Sequence, residues 1–320
     1  MTDRAHALGM SDLPTNVRHN LILVRDLERF GGDDRDLRRQ RDAGELIQVR
    51  RGSYMPAHEW NELDGEGRHR ARVHAVAANA RIEPIFSHFS AAALHGIPVL
   101  GSLPVDVHVT IERGTRRRAQ SGIRSHSLGL EPYEIDRVDG VLVTSVERTL
   151  IDLALTTSFE SAVASVDWGL ANGFERSLLQ MELERMNPPT RAKAAMAALG
   201  FADARSGSPG ESLSRARMFL LGFPIPELQV PISDDRGRIG IVDFYWRDHN
   251  LIGEFDGRAK YVRDDYLQGR TAAEVVLVEK VREDRMRATG AGMIRWNWSL
   301  AEDMRELGRL LSSAGLPTQR

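Results

Sequence analysis

The stretch from Ile241 to Lys260 reads IVDFYWRDHNLIGEFDGRAK. Its pattern predicts a tight β-hairpin. Ile239, Ile241, Asp243 and Tyr245 share one face of a first strand, at the two-residue period of extended chain. Arg247-Asp-His-Asn250 is polar and turn-like. A return strand, Leu251 to Asp256, puts Ile252, Glu254 and Asp256 on a shared face, and Gly257 stands where it ends. Asp243 interrupts an apolar strand, and the return strand ends in two acids. Carboxylates in or beside a core are costly unless they are paired or bound to a cation. A hard divalent ion takes oxygen ligands from one or two carboxylates, with water and substrate phosphate completing its shell. Asp243 and Glu254 are therefore candidate ligands for Mg²⁺ or Mn²⁺, and Lys260 lies close enough along the chain to contact a scissile phosphate. The same residues also fit a plainer reading, an edge hairpin whose acids deter strand-to-strand aggregation.

The flanks extend the pattern. Pro209 to Gly222 reads as a helix with Glu211 in its first turn and Leu213, Ala216 and Leu220 on its buried face. Leu228 to Ile232 reads as a strand. After a polar stretch, Arg258 to Arg270, a long helix from Thr271 to Ala288 projects Lys280, Arg282, Arg285 and Arg287, either toward a DNA backbone or into solvent beside Glu279, Glu283 and Asp284. Met293 to Trp296 is a last strand, and Ser299 opens a closing helix over 301–312. This order, with Glu211, Asp243, Glu254-Phe-Asp-Gly257, Arg282-Glu-Asp-Arg285 and Gly292-Met-Ile-Arg-Trp296, resembles the restriction-endonuclease-like fold. In particular it is similar to the small very-short-patch-repair-type nuclease domains, over roughly Ser208 to Leu311. The resemblance implies Asp243 and Glu254 as metal ligands and Glu211 as a supporting acid; in the mechanism expected here Lys260 offsets the negative charge at phosphorus, and Glu211 or Asp256 orients a water or second ion, which completes the catalytic set. Two positions depart from that pattern. Asp256 stands where the wider superfamily carries lysine, and Lys260 where nearer relatives carry histidine.

The N-terminal region has a different rhythm. Residues 20–30 have the apolar spacing of a helix, closed by Gly31-Gly32. Asp33 or Asp34 caps a second helix, Arg35 to Ala43, and Gly44 stops it. Glu45 to Met55 then alternates like two short strands turning at Arg51-Gly52. Helix, turn, helix and β-wing make a winged helix-turn-helix. Arg35, Arg38, Arg39 and Arg41 on its second helix, with Arg50 and Arg51 on the wing, are candidate DNA contacts, because arginine reaches both phosphates and guanine edges. Asp33, Asp34, Asp36 and Asp42 offset that charge, as on an ordinary exposed helix.

Between these ends lie a helix over 64–80, a strand running into a short helix from Pro84 to Gly96, strands at Val105–Ile111, Ile123–Leu128 and Gly140–Thr144, and helices from Ser145 through residue 199. The wing ending in Arg51-Gly-Ser-Tyr54, Ser87-His-Phe-Ser-Ala-Ala-Ala-Leu-His-Gly96, Val107-His-Val-Thr110 and Thr144 to Leu153 resemble AbiEi-type antitoxins over about residues 15–175. That resemblance implies a winged helix followed by an α/β domain, binding to promoter DNA, and opposition to a nucleotidyltransferase toxin. His88 and His95 sit near two turns of helix apart, and His108 and His126 lie on nearby strands. With no HExxH and no Cys/His spacing, these histidines read as core or surface residues rather than as a metal site. Arg113-Gly-Thr-Arg-Arg-Arg118 is a local basic patch.

Composition bounds the answer. At 320 residues the chain is long for one domain. A hydrophobic fraction of 42% supports real cores, and a formal net charge of −2 argues against a uniformly basic nucleic-acid binder. The absence of cysteine excludes disulfides, thiolate zinc sites and cysteine nucleophiles. No P-loop, GxGxxG or GxSxG is present, so kinase, dinucleotide-binding and serine-hydrolase readings have no foothold. No run is apolar enough for a membrane span, no signal peptide is apparent, and the cytoplasm is the expected location. The expected class is α/β, α+β overall: a winged helix over 1–60, an antitoxin-like α/β domain over 61–200, a linker over 201–210 and a nuclease-like domain over 211–320. The expected function is DNA binding with metal-dependent cleavage. The alternative is a regulator or antitoxin without turnover, whose partners are DNA and a cognate toxin.

Overall fold

The turn at Arg51-Gly52 needs its glycine. Gly52 has φ +83°, and a Cβ there would meet Asn79 Oδ1 at 2.9 Å. It joins β3 (Leu46–Arg50) to β4 (Ser53–Pro56), a ladder with Gln48 opposite Tyr54. The computed structural model describes residues 15–16, 20–29, 33–111, 120–127, 129–188, 190–257 and 272–318. The described residues mix helix and sheet, as the α/β reading expects. Two compact units divide the chain, 1–153 and 154–320.

In the first unit, β1 (Thr15–Asn16), β2 (Leu21–Leu23), β4 and β3 lie side by side in that order. Between β2 and β3 come α1 (Val24–Arg29) and α2 (Asp34–Asp42), the latter capped by Asp33, whose side chain accepts from Arg35 N–H. Leu27 and Leu37 reach from the two helices onto Ile22, Leu46 and Tyr54. Helices α3 (Ala57–Glu62) and α4 (Gly65–Asn79) follow; Ala71 and Ala75 of α4 close the other side, against Leu21, Leu23 and Met55.

A second sheet runs in the order β7 (Ile123–His126), β6 (Val107–Thr110), β5 (Ile85–Phe86), β9 (Val141–Thr144), β8 (Ile135–Val138). Helix α5 (His88–His95) leaves β5, and α6 (Val146–Thr156) leaves β9. The Val-His-Val-Thr run of β6 alternates. Val107 and Val109 join Val73, Phe86 and Val143 in one core, which leaves His108 and Thr110 for the opposite face.

The second unit holds α7 (Phe159–Ala171), α8 (Arg176–Met186), α9 (Ala192–Phe201) and α10 (Pro209–Leu220). The helical run expected through 199 breaks after Met186, where Asn187 turns left-handed at φ 42° ahead of Pro188. The sheet order is β10 (Glu227–Asp234), β11 (Gly237–Trp246), β12 (Leu251–Asp256), β13 (Gly292–Asn297). The expected hairpin is present, with Phe244 opposite Gly253 and Trp246 opposite Leu251. After α11 (Ala272–Ala288), β13 returns parallel to β12 and sets Arg295 opposite Glu254. Short α12 (Trp298–Glu302) and α13 (Met304–Ser313) close the unit. Gly210 lets α10 lie directly on Phe255, whose ring would stand 2.1 Å from a Cβ at that position.

Residues 201–210, read as a linker from their small, polar composition, lie within the second unit, whose boundary with the first falls between Leu153 and Ala154. Asp167 of α7 holds one end of this segment. Its buried carboxylate accepts from Arg215 at 2.9 Å, from Ser212 Oγ at 2.7 Å and from the backbone N–H of Asp203 at 2.6 Å. Arg215 donates in turn to Phe201 O at 2.8 Å. The corner is fixed by charge, so α7 and α10 belong to one unit. Stranding one partner of a buried pair costs about 3–5 kcal/mol, whereas an exposed pair contributes about 0–1 kcal/mol. Asp167→Ala is therefore expected to lower the urea-unfolding free energy by about 3–5 kcal/mol. Glu227→Ala, which breaks the exposed pair with Arg247, should leave it nearly unchanged.

Candidate functional site

The acids expected to hold a metal fall into two groups. Ser208 caps α10, accepting from Glu211 N–H at 3.2 Å, and the Glu211 side chain folds back over the start of the helix. Its Oε1 accepts from Ser208 Oγ at 2.8 Å, and its Oε2 accepts from Gly207 N–H and from Gln229 Nε2, both at 2.9 Å. Gln229 also donates to Asp243 Oδ1 at 3.3 Å, and Phe255 N–H donates to Asp243 Oδ2 at 2.9 Å. Glu211, Gln229 and Asp243 thus form one hydrogen-bonded row. Burial pushes the Glu211 carboxyl above its ordinary range, and the charge of Asp243 adds to that.

Glu254 is held differently. Arg282 donates to its Oε1 at 2.7 Å, and Arg295 lies 2.8 Å from its Oε2. Arg282 also donates to Ile241 O at 2.9 Å. Gly240 leaves room for this, since a Cβ there would stand 2.7 Å from Arg282 Nε. Burial raises the Glu254 carboxyl, opposed by Arg282 and Arg295. Glu254, expected as a ligand for Mg²⁺ or Mn²⁺, is thus met by two guanidiniums, and Glu211 by three donors. Asp256 sits half-buried at the end of β12, opposite Asn297. Lys260, the basic patch 113–118 and the polar stretch 258–270 lie outside the described residues. A cleft of about 760 Å³ opens beside the row, lined by Gly207, Glu211, Phe255, Gly257 and Trp298. Gln229, held at φ 51°, and the clamping role of Arg282 and Arg295 were not foreseen; an isolated arginine in the Met-Ile-Arg-Trp strand was the available signal.

On α2 each expected DNA contact has an acid neighbour. Arg35 pairs with Asp33 at 3.5 Å, Arg38 with Asp34 at 2.5 Å, Arg39 with Asp36 at 3.1 Å and Arg41 with Asp42 at 2.7 Å. All four arginines stay exposed. Arg51 is exposed at the β3–β4 turn, while Arg50 is half-buried and lines a groove of about 430 Å³ with Arg72 and Gly122. Burial lowers the pKa of Arg50.

The structure also gathers three histidines that the sequence reading set aside. Parallel pairing of β6 and β7 puts His126 opposite Thr110, one step diagonal from His108, and α5 brings His88 over them. Ligand-capable nitrogens of His88, His108 and His126 lie within 4.8 Å of one another. His126 Nε2 is 3.0 Å from His108 Nδ1, and the His88 and His126 rings stack at 3.5 Å. His95 points elsewhere, its Nε2 2.8 Å from Thr144 O. Beneath the cluster, buried Arg148 meets Glu134 at 2.8 Å and Asp152 at 3.0 Å, and Asp152 Oδ2 lies 3.5 Å from His88 Nδ1.

No protein-family model matches the chain. Two curated relatives, the uncharacterized proteins MT2308 and Rv2248 of Mycobacterium tuberculosis, are each 32% identical to it over 183 residues. The match covers 55% of this chain and 65% of theirs, so the chain spans just under two thirds of those relatives' length. The crystal structure of the RV2827C protein from Mycobacterium tuberculosis matches at a TM-score of 0.39 and 15% identity, over 64% of this chain and 76% of that one.

Burial lowers the three histidines, His88 and His108 to about 3 and His126 to about 4, from an ordinary 6.5. The folded chain then keeps them neutral while the unfolded chain protonates them below pH 6.5. Unfolding takes up protons in that window, so stability falls as pH drops from 6.5 toward 4. Urea titrations across this range should show the loss. His126→Phe should flatten its slope by about 1.4 kcal/mol per pH unit, one proton's worth; an unchanged slope contradicts the assignment.

Proposed function

We propose that this is a DNA-binding protein without turnover, a regulator of the antitoxin kind, whose C-terminal module keeps the strand order of a restriction-endonuclease-like domain but does not cut. It would act in the cytoplasm on promoter DNA, with a cognate toxin as its protein partner. The observation that carries this reading is the pair of arginines on Glu254. Admitting a metal there would require these guanidiniums to leave a buried carboxylate that they already neutralise. The arginines of α2 face the opposite balance. Their surface pairs with neighbouring aspartates contribute little to stability and exchange readily for phosphate oxygens. The order α1, α2, then the β3–β4 hairpin with Arg51 at its turn supports a winged helix-turn-helix in the first unit.

Binding of the full chain to genomic DNA fragments tests this. Combined Arg35→Ala, Arg38→Ala and Arg39→Ala should weaken binding and reduce the slope of log K against log[salt] by about 2–3, close to 0.9 per phosphate contact. Arg247→Ala in the second unit should leave the slope alone, and equal slopes for all three proteins would reject α2 as the reading helix.

A second reading keeps the nuclease. The Gln229-bridged row of Glu211 and Asp243 beside the cleft favours it. Incubation of supercoiled and linear DNA with Mg²⁺ or Mn²⁺ separates the two. The regulator reading expects no nicking by wild type or Asp243→Ala, with specific binding that survives chelation. Cleavage by wild type that Asp243→Ala abolishes would put the second reading in its place.

A further inference from the structure

We propose that His88, His108 and His126 form a binding site for a borderline divalent transition-metal ion, Zn²⁺ in the first instance. The site is separate from the acid row and from the arginines of α2. Three imidazole nitrogens are the donor set that suits zinc, and their spacing lets them converge on one ion. Tetrahedral coordination by three histidines leaves a fourth position for water or an anion.

Two further features of the site point to a ligand. His88 is buried, and its Nε2 has no hydrogen-bond partner among the described residues. Leaving such a group unsatisfied costs about 1–3 kcal/mol. His88 also adopts φ 51°, a left-handed conformation that a side chain with a Cβ disfavours. Strain of this kind gathers where a side chain must be aimed. A phenylalanine would fill the same volume without the orphaned nitrogen.

The surroundings of His88 match those of a metal-bound histidine. Such residues usually give their second ring nitrogen to a carboxylate or another acceptor, which fixes the tautomer and the ring orientation. His88 Nδ1 lies 3.0 Å from Ser87 Oγ and 3.5 Å from Asp152 Oδ2, leaving Nε2 for the ion. His108 is steadied from its backbone, whose N–H donates to Ser90 Oγ at 2.8 Å. Ser90 Oγ in turn lies 2.9 Å from His69 Nε2. Of the nearby cations, Arg148 is met by Glu134 and Asp152. Arg124, opposite His108 in the register, is the one charge on β7 that opposes an ion. To form the site, the stacked rings of His88 and His126 would turn about their side-chain bonds until their nitrogens face a common centre.

The test uses the untagged full-length chain. Dialysis against Zn²⁺ followed by metal analysis should give one equivalent per chain. Co²⁺ should give the intense visible bands of a four-coordinate ion, a readout that needs no variant. His108→Ala and His126→Gln should each lose the bound metal and the cobalt bands. Asp152→Asn should keep the stoichiometry and weaken affinity by about 10–100-fold. Asp243→Ala should bind as wild type, which separates this site from the acid row. If His108→Ala does not fold, the half-exposed His126 position and the wild-type cobalt spectrum decide the question. Failure of wild type to retain zinc or develop the cobalt bands would overturn the proposal, as would binding that survives His126→Gln.

Discussion

Among the described residues, every buried carboxylate except Glu211 is met by arginine, and each meeting fixes a joint of the fold. Arg148 ties α6 to the turn before β8 through Glu134 and to its own helix through Asp152. Asp167 ties α7 to α10 and to the corner at Asp203. Glu254 ties β12 to its parallel neighbour β13 through Arg295 and to α11 through Arg282. A charge without its partner at any of these places would cost more than most single side chains contribute by packing. These pairs therefore constrain topology as strongly as the apolar clusters do.

In the second unit the same constraint acts at Glu254, whose oxygens face two guanidiniums. Glu211 shows a milder form of this. Its donors are Gly207 N–H, Ser208 Oγ and Gln229 Nε2, groups that serve the start of a helix as much as a site. On α2 the arginines stand exposed beside aspartates at the surface, where an ion pair costs little to exchange for another anion.

How much of this was legible depended on the range of the interaction. The β11–β12 hairpin and the α2 helix with its Asp33 cap follow from periodicity and local turn chemistry, and both lie where the residue pattern puts them. What the local pattern does not carry is non-local. Residues 201–210 have the composition of a linker, yet Asp167, 36 positions before Asp203, captures their backbone. The alternation in Val-His-Val-Thr predicts a strand with two different faces. It carries no information on the parallel partner, and only that partner's register brings His126 diagonal to His108. Arg295 reads as one polar residue in an apolar strand until the parallel return of β13 sets it opposite Glu254.

The buried polar face of β6 makes demands that its apolar face does not. Glu134 and Asp152 both meet Arg148. Asp152 stands on the side of that network nearest His88. Burial moves the Asp152 carboxyl upward in pKa. Packing of neutral imidazoles leaves His88 strained and its Nε2 without a partner among the described residues; a cation among the histidines uses the same nitrogen as a ligand and gives the left-handed turn at His88 a purpose. Backbone strain and an orphaned ring nitrogen at one residue are hard to explain by packing alone, because packing would be served better by a side chain with no polar atoms at all.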